Sequence, residues 1–284
     1  MRKELPKSPR LRRSSPVTRF GTLATLQAVP QGTREAIEAG KIRLGIIAAF
    51  MNGCVNYSNR FYSEVLADPN LASPLLFPET VFNAPASHFA TLLNSRGPAY
   101  TLLGDSATWF SALQMADLWL TTDMVDSVLV ISAEECDWLS AEALNLYQKG
   151  AAVTEGAAAV LVDHQPSDLS ISQINGPFPY RTSSEKMEAT QRAASTLEGE
   201  TSRLDLVVDD ISGFGHFDQN QAQLLDQIAN QQLSPKTVLG DAFGVSAGFQ
   251  TLVAIDALQS DSSAVAVLSP GGNQHAFSAI LTAS

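Results

Sequence analysis

Strand patterns alternate with helix patterns along this chain, and the alternation runs twice. IRLGIIAAF (42–50), PAYTLL (98–103), DSVLVISAEE (126–135) and GAAAVLVD (156–163) read as strands. Helical stretches lie between them: 18–39, interrupted near Pro30, then 59–68 and 106–121. SPLLFPETVFN (73–83) carries two prolines and reads as a loop leading into a helix. A second series follows, with a strand at 168–174, a helix at 184–198 and a strand at 203–211. Next come an amphipathic helix at 218–232 with Leu224, Leu225 and Ile228 inward, and KTVLG (236–240) as a short strand. A helix at 242–258 and strands at 263–272 and 275–281 complete it. Such alternation predicts a layered α/β protein. The Val/Leu/Ile run in 126–135 implies a strand covered on both faces. The two series read as weak structural duplicates.

A chain of 284 residues suits one large domain or two intimate halves. The spacing suggests a basic tail over 1–18, a first half over 19–166 and a second over 167–284. No apolar run reaches the roughly 18 residues of a membrane span. The first residues are basic and polar with no apolar stretch behind them, unlike a signal peptide. Cys54 and Cys136 give neither a disulfide framework nor a metal cluster. Both are expected as buried thiols in a cytoplasmic protein. Residues 1–19 hold seven of the 18 Lys and Arg, leaving 11 basic against 28 acidic residues in the rest. That balance argues against nucleic-acid binding and against a strong docking site for an acidic partner on the main body. The tail is expected either as a disordered arm or as a capping segment.

TLLGDSATWFSAL (101–113) reads as a strand breaking sharply into a helix. Gly104 permits the bend, and Trp109, Leu113, Ala116 and Leu120 share one helical stripe. Ser106 therefore sits at a helix start, beside backbone N–H groups and the positive end of the macrodipole. Many enzymes hold a nucleophile in such a turn.

From Ser73 onward the chain resembles the β-ketoacyl synthases, the condensing enzymes of fatty-acid and polyketide synthesis. SPLLFPETVFNAPASHFATLLNSRGPAYTLL is similar to that family's P..FP...N..AS.....G..GP signature. LVISAEE and EGAAAVLV resemble two of its strands. RLDLVVDDISGFGHFDQNQAQ resembles its His-Gly-Thr block. SPKTVLGDAFGVSAGFQTLVAIDAL resembles its Lys-then-Gly-His helix block, and SPGGNQHAFSAIL its last strand. These pieces lie in family order over about three quarters of the chain. The resemblance implies a thiolase-like five-layer αβαβα sandwich built from two related halves. It departs at the start: the family opens with a strand and glycine turn, and this chain with a basic segment. A strand of a truncated first half is therefore expected to be missing.

The family takes an acyl chain on a cysteine thiolate and uses two histidines for decarboxylative condensation. Carried over, the cysteine falls on Ser106, the first histidine on Ser212 and the second on Asp241. Lys236 is kept and is expected to pair with Asp241. A serine without a base is a poor nucleophile, and an aspartate opposes an oxyanion where a neutral imidazole would support it. The resemblance thus implies a non-catalytic subunit, a chain-length factor. It would form a heterodimer with a catalytic ketosynthase, pairing through 98–103, and meet an acyl carrier protein only indirectly. No cofactor is implied beyond the phosphopantetheine-linked acyl chain as ligand. Trp109, Phe110 and Met115 are candidate tunnel residues, with core packing as the plainer reading; Phe214 and His275 are further candidates for the acyl pocket. An alternative is a serine acyltransferase in which Ser106 attacks a thioester, His216 serves as base and Asp241 orients it. A third is a ligand-binding scaffold. His88 and His164 have no evident partners in the sequence.

Overall fold

The computed structural model describes residues 5–7, 11–197, 204–214, 216–260, 262–272 and 274–283, with the His216 side chain left out. The chain forms two compact units. The first takes in Met1–Gly104, Ala112–Ser140 and Glu155–His164; the second takes in Asp105–Ser111, Ala141–Thr154 and Gln165–Ser284.

In the first unit, α1 (Pro16–Ala28) and α2 (Gln31–Glu38) precede β1 (Leu44–Phe50) and α3 (Val55–Ala67). A 3-10 turn (Phe77–Glu79), α4 (Ala84–Leu92) and β2 (Ala99–Leu103) follow. α5 (Thr108–Thr121), β3 (Ser127–Glu134), α6 (Trp138–Tyr147) and β4 (Gly156–Val162) complete the first series, 108–111 and 141–147 being counted with the second unit. The sheet order is β2-β1-β3-β4, parallel except for β3 against β4. β1 and β3 are buried at every residue. Alternate residues Leu44, Ile46, Ala48 and Phe50 share a core with Leu129, Ile131 and Ala133 and with α1 and α4. α1 and α4 approach so closely that a Cβ on Gly21 would lie 2.2 Å from the Phe89 ring. Residues 11–15 belong to this packing and are no free arm. Leu11, Ser14 and Ser15 are buried, and the Ser15 hydroxyl caps α1 at Thr18 N.

In the second unit, β5 (Leu169–Pro179), α7 (Ser183–Ser195), β6 (Leu204–Val208) and α8 (His216–Ile228) come first. β7 (Ala229–Leu233), α9 (Pro235–Leu239), a 3-10 turn (Phe243–Val245), α10 (Ser246–Ser260), β8 (Ala264–Ser269) and β9 (His275–Ala283) follow. The order is β5-β9-β8-β6-β7. β6 runs parallel to β7 and β8, and β9 antiparallel to β8 and β5. Thus β7-β6-β8-β9 repeats β2-β1-β3-β4 in order and direction, and the duplication is real. Among the described residues the first sheet has four strands and the second five; β5 has no counterpart beside β4. Leu206, Val207, Val208, Val265, Ala266, Val267 and Leu268 are buried.

Four local expectations need correction. KTVLG is helix α9, not strand. Ser234 and Pro235 start it and Gly240, at φ +84°, ends it, which outweighs the β-branched pair inside. The helix expected to reach 232 stops at Ile228, and ANQQL becomes β7, an edge strand that among the described residues pairs with β6 alone. The helix expected at 59–68 starts at Val55. α6 was not anticipated, because Trp138, Leu139, Leu146 and Tyr147 are exposed and leave no inward stripe to read.

Candidate functional site

The duplication places Ser106 and Asp241 in corresponding segments, each leading from an edge strand into the long helix of its repeat. Ser106 belongs to the second unit, as do Asp105, Gly271, Asp210, Ser212, Lys236 and Asp241.

The Ser106 turn is built by its neighbour. Asp105 is 4% exposed. Its Oδ1 accepts from Ala107 N at 3.0 Å and its Oδ2 from Gly272 N at 2.8 Å, tying the start of α5 to the glycine turn before β9. Gly271 makes that approach possible. At φ +67°, a Cβ there would meet His275 O at 2.5 Å and Asp105 Oδ2 at 2.9 Å. Ser106 itself is 5% exposed. Among the described residues, no side chain hydrogen-bonds its hydroxyl. His216, the candidate base, begins α8, but its side chain lies outside the described residues.

Asp241 follows α9 directly. Its backbone N donates to Ala152 O, and its Oδ1 accepts from Phe243 N at 2.7 Å and from the Ser246 hydroxyl at 3.3 Å. Phe243 holds a left-handed φ of +51°, a costly conformation for a bulky residue that the Asp241 contact helps impose. The Lys236 ammonium lies 3.0 Å from Asp241 Oδ2 and 2.8 Å from Asp210 Oδ1. All three side chains are nearly excluded from solvent. The expected Lys236–Asp241 pair is thus half of a buried Asp210–Lys236–Asp241 cluster. The flanking carboxylates hold Lys236 charged by raising its pKa against desolvation. Lys236 and the two donors hold Asp241 below the ordinary carboxylate range. Burial dominates at Asp210 and pushes it upward, opposed chiefly by the Lys236 ammonium. Next to it, burial lifts Asp209 to about 6.

Ser212 does not join this cluster. Its hydroxyl donates to Asp218 at 2.9 Å, and Asp218 also takes the N–H groups of Ser212 and Gly213. Asp210, two residues before Ser212 and just past the end of β6, is the side chain brought to Lys236. Sequence reading passed over it because the DDIS stretch offers several candidates and only the contact with Lys236 selects one.

The pocket candidates are mostly core. Trp109 and Phe110 are fully buried. Trp109 Nε1 donates to Thr251 Oγ1 at 3.0 Å, and Phe110 stacks on Phe277 with centroids 5.8 Å apart. Met115 is half-buried. Phe214 is 52% exposed. His275 opens β9 opposite Pro179. The remaining histidines do have partners: His88 Nε2 meets Glu79 at 2.8 Å and His164 meets Asp117 at 3.1 Å. Cys54 is buried and its thiol is pushed up to about 12, chiefly by desolvation. Cys136 is exposed in the turn after β3, not buried as expected. Among the described residues no group of His, Cys, Asp and Glu could hold a metal, and no helix is long and apolar enough to cross a membrane.

Chemically, the cluster is a set of fixed charges. Two carboxylates stand near each other, and one of them opposes any developing oxyanion nearby. Among the described side chains no imidazole faces them.

No family model and no curated protein sequence matches the chain. Solved structures do. The ishigamide ketosynthase/chain length factor shares 16% identity over 95% of this chain and 81% of its own, with a TM-score of 0.79. A ketosynthase in complex with its chain length factor from Xenorhabdus doucetiae shares 15% over 99% and 85%, with a TM-score of 0.81. A type II acyl-carrier protein–ketosynthase complex bound to the hexaketide gives 14%, 98%, 85% and 0.80. The duplicated sheets and these likenesses together establish that the chain has the thiolase-like fold of the ketosynthases and chain-length factors.

Proposed function

We propose that this protein is a non-catalytic ketosynthase-like subunit, a chain-length factor. It pairs with an active ketosynthase in type II fatty-acid or polyketide synthesis and shapes the acyl pocket of that pair. The observation that carries this reading is the buried Asp210–Lys236–Asp241 cluster, with a serine at the elbow. An acyl group on an elbow serine near these carboxylates would meet fixed negative charge, which works against decarboxylation and thioester attack alike. The neighbours described as ketosynthase and chain length factor assemblies support the partnership. So does β2, an edge strand with Tyr100 and Leu103 each 55% exposed. An open edge with outward apolar side chains is a template for pairing.

The test is co-expression with a cysteine-containing ketosynthase, followed by size-exclusion chromatography and intact mass after incubation with acyl-loaded carrier protein. A co-eluting pair, dissociated by Leu103→Lys, with the acyl group on the partner's cysteine alone, is expected. Failure to co-elute with any such synthase refutes the partnership. An adduct on this chain that disappears in Ser106→Ala refutes the non-catalytic reading and favours the serine acyltransferase.

A further inference from the structure

The two sheets end differently on one side. In the second sheet the last strand of the repeat, β9, is flanked by β8 and by β5. β5 runs antiparallel to it, from Leu169 opposite Ala283 to Pro179 opposite His275, and β9 is buried from Ala276 to Leu281. Its counterpart β4 pairs, among the described residues, with β3 alone. Only Ala158 of β4 is buried, and its other residues are half-buried. Ala157, Ala159 and Leu161 pack on the core shared with α1 and α4, so that face is covered. The outer edge is what stays open: among the described residues nothing hydrogen-bonds the backbone of β4 on the side away from β3.

A sheet edge left to water normally carries a device against pairing, such as a charge, a proline, a bulge or a very short strand. Two other edges here show such devices. β7 is polar, with the sequence ANQQL. β5 carries Pro177 and Pro179 and two breaks of register. β4 has none of them. GAAAVLV is uncharged and free of proline, and its register with β3 is unbroken from Gly156 to Val162. Charge appears only beyond its ends, at Glu155 and Asp163. A regular, uncharged edge of this kind is a template for strand addition.

The duplication shows what belongs there. The place beside β9 is held by an extended segment that begins LSISQIN, uncharged, with aliphatic side chains at 169, 171 and 174. Residues 1–10, with Pro6, Pro9 and five charged side chains, have the wrong chemistry for that place. We propose that the outer edge of β4 is a strand-acceptor site for a separate protein. It takes an uncharged, aliphatic-rich extended segment, antiparallel to β4, in the place that β5 holds beside β9. Main-chain hydrogen bonds on alternate residues supply the affinity. β2 is the opposite edge of the same sheet, so this inference does not rest on the ketosynthase pairing, and either stands if the other fails.

The experiment uses the intact chain and a terminally blocked, fluorescently labelled peptide, LSISQIN. Anisotropy reads binding, and hydrogen exchange followed by peptide mass reads where it occurs. Saturable binding is expected, with several-fold slower exchange over 156–162 and no change in β2 or β7. N-methylation of one alternating set of peptide amides is expected to abolish binding and methylation of the other set to leave it, because only one set faces the edge. No saturable binding, protection outside 156–162, or equal effects of the two methylated sets overturns the proposal. So does protection of 156–162 that rises with protein concentration before any peptide is added, which assigns the edge to a second copy of this chain. Every readout uses the wild-type chain, so none depends on the folding of a variant.

Discussion

Lys236→Met tests whether the buried cluster is a fixed structural charge set. Methionine keeps the length of the side chain and removes the ammonium from between Asp210 and Asp241, which lie 2.8 and 3.0 Å away. Removing one partner of a buried ion pair costs about 3–5 kcal/mol, because a desolvated charge is left behind. Asp241 retains its bonds from Phe243 N and Ser246, so most of the cost falls on Asp210. For a chain of this size such a loss lowers Tm by on the order of 10 °C. Thermal unfolding followed by circular dichroism measures it. The pH dependence has a definite sign. Without Lys236, Asp210, already pushed upward by burial, loses the chief charge that opposes the shift. The folded variant then binds protons that the unfolded chain does not, so its stability rises as pH falls from about 8 to about 5. The deficit against wild type therefore narrows toward acid. Adding Asp210→Asn and Asp241→Asn removes the whole charge set and is expected to recover most of the loss, since a buried ion group replaced as a unit is often neutral. A single-variant cost below about 1 kcal/mol, or a triple variant no more stable than the single, would refute the reasoning.

Two further outcomes are expected. Glu134 is fully buried, and its carboxylate accepts the N–H groups of Met51 and Asn52. Desolvation lifts it to about 8. A raised carboxyl adds stability below its unfolded pKa that is lost as pH climbs through the folded value. Tm should therefore fall between about pH 5 and pH 8, and Glu134→Gln should flatten that slope by up to a few kcal/mol, at roughly 1.4 kcal/mol per unit. Gly271→Ala meets carbonyl and carboxylate oxygens at a left-handed φ. It should cost on the order of 2–4 kcal/mol in urea unfolding and loosen the Asp105 tie at the elbow; a change below about 0.5 kcal/mol would show that the turn relaxes freely.

Much of the fold was legible because local pattern and tertiary role agree. β3 reads as a run of apolar residues and is buried at every position. The α5 stripe of Trp109, Leu113, Ala116 and Leu120 is buried as its periodicity requires. The failures fall where the two part company. β7 is polar because it is an edge with one neighbour, so no hydrophobic pattern marks it. KTVLG carries strand-favouring residues inside a start and stop that belong to a helix, and the caps prevail. α6 keeps four large apolar side chains exposed, and no periodicity argument assigns a face to residues that bury none.

The sequence alone determined the alternation of strands and helices, its duplication, the bend at Gly104 and the serine that follows it. Spacings of two and of 3.6 residues are written into the chain, and a glycine or proline acts where it stands. Only the tertiary structure decided that Asp210, and not Ser212, meets Lys236, that Asp105 is anchored by the turn before β9, and that the Lys186 ammonium stands over the Phe217 ring. These depend on contacts between segments as much as 167 residues apart. Charge, burial and hydrogen bonding are properties of such contacts, and no local pattern encodes which distant partner a side chain will meet.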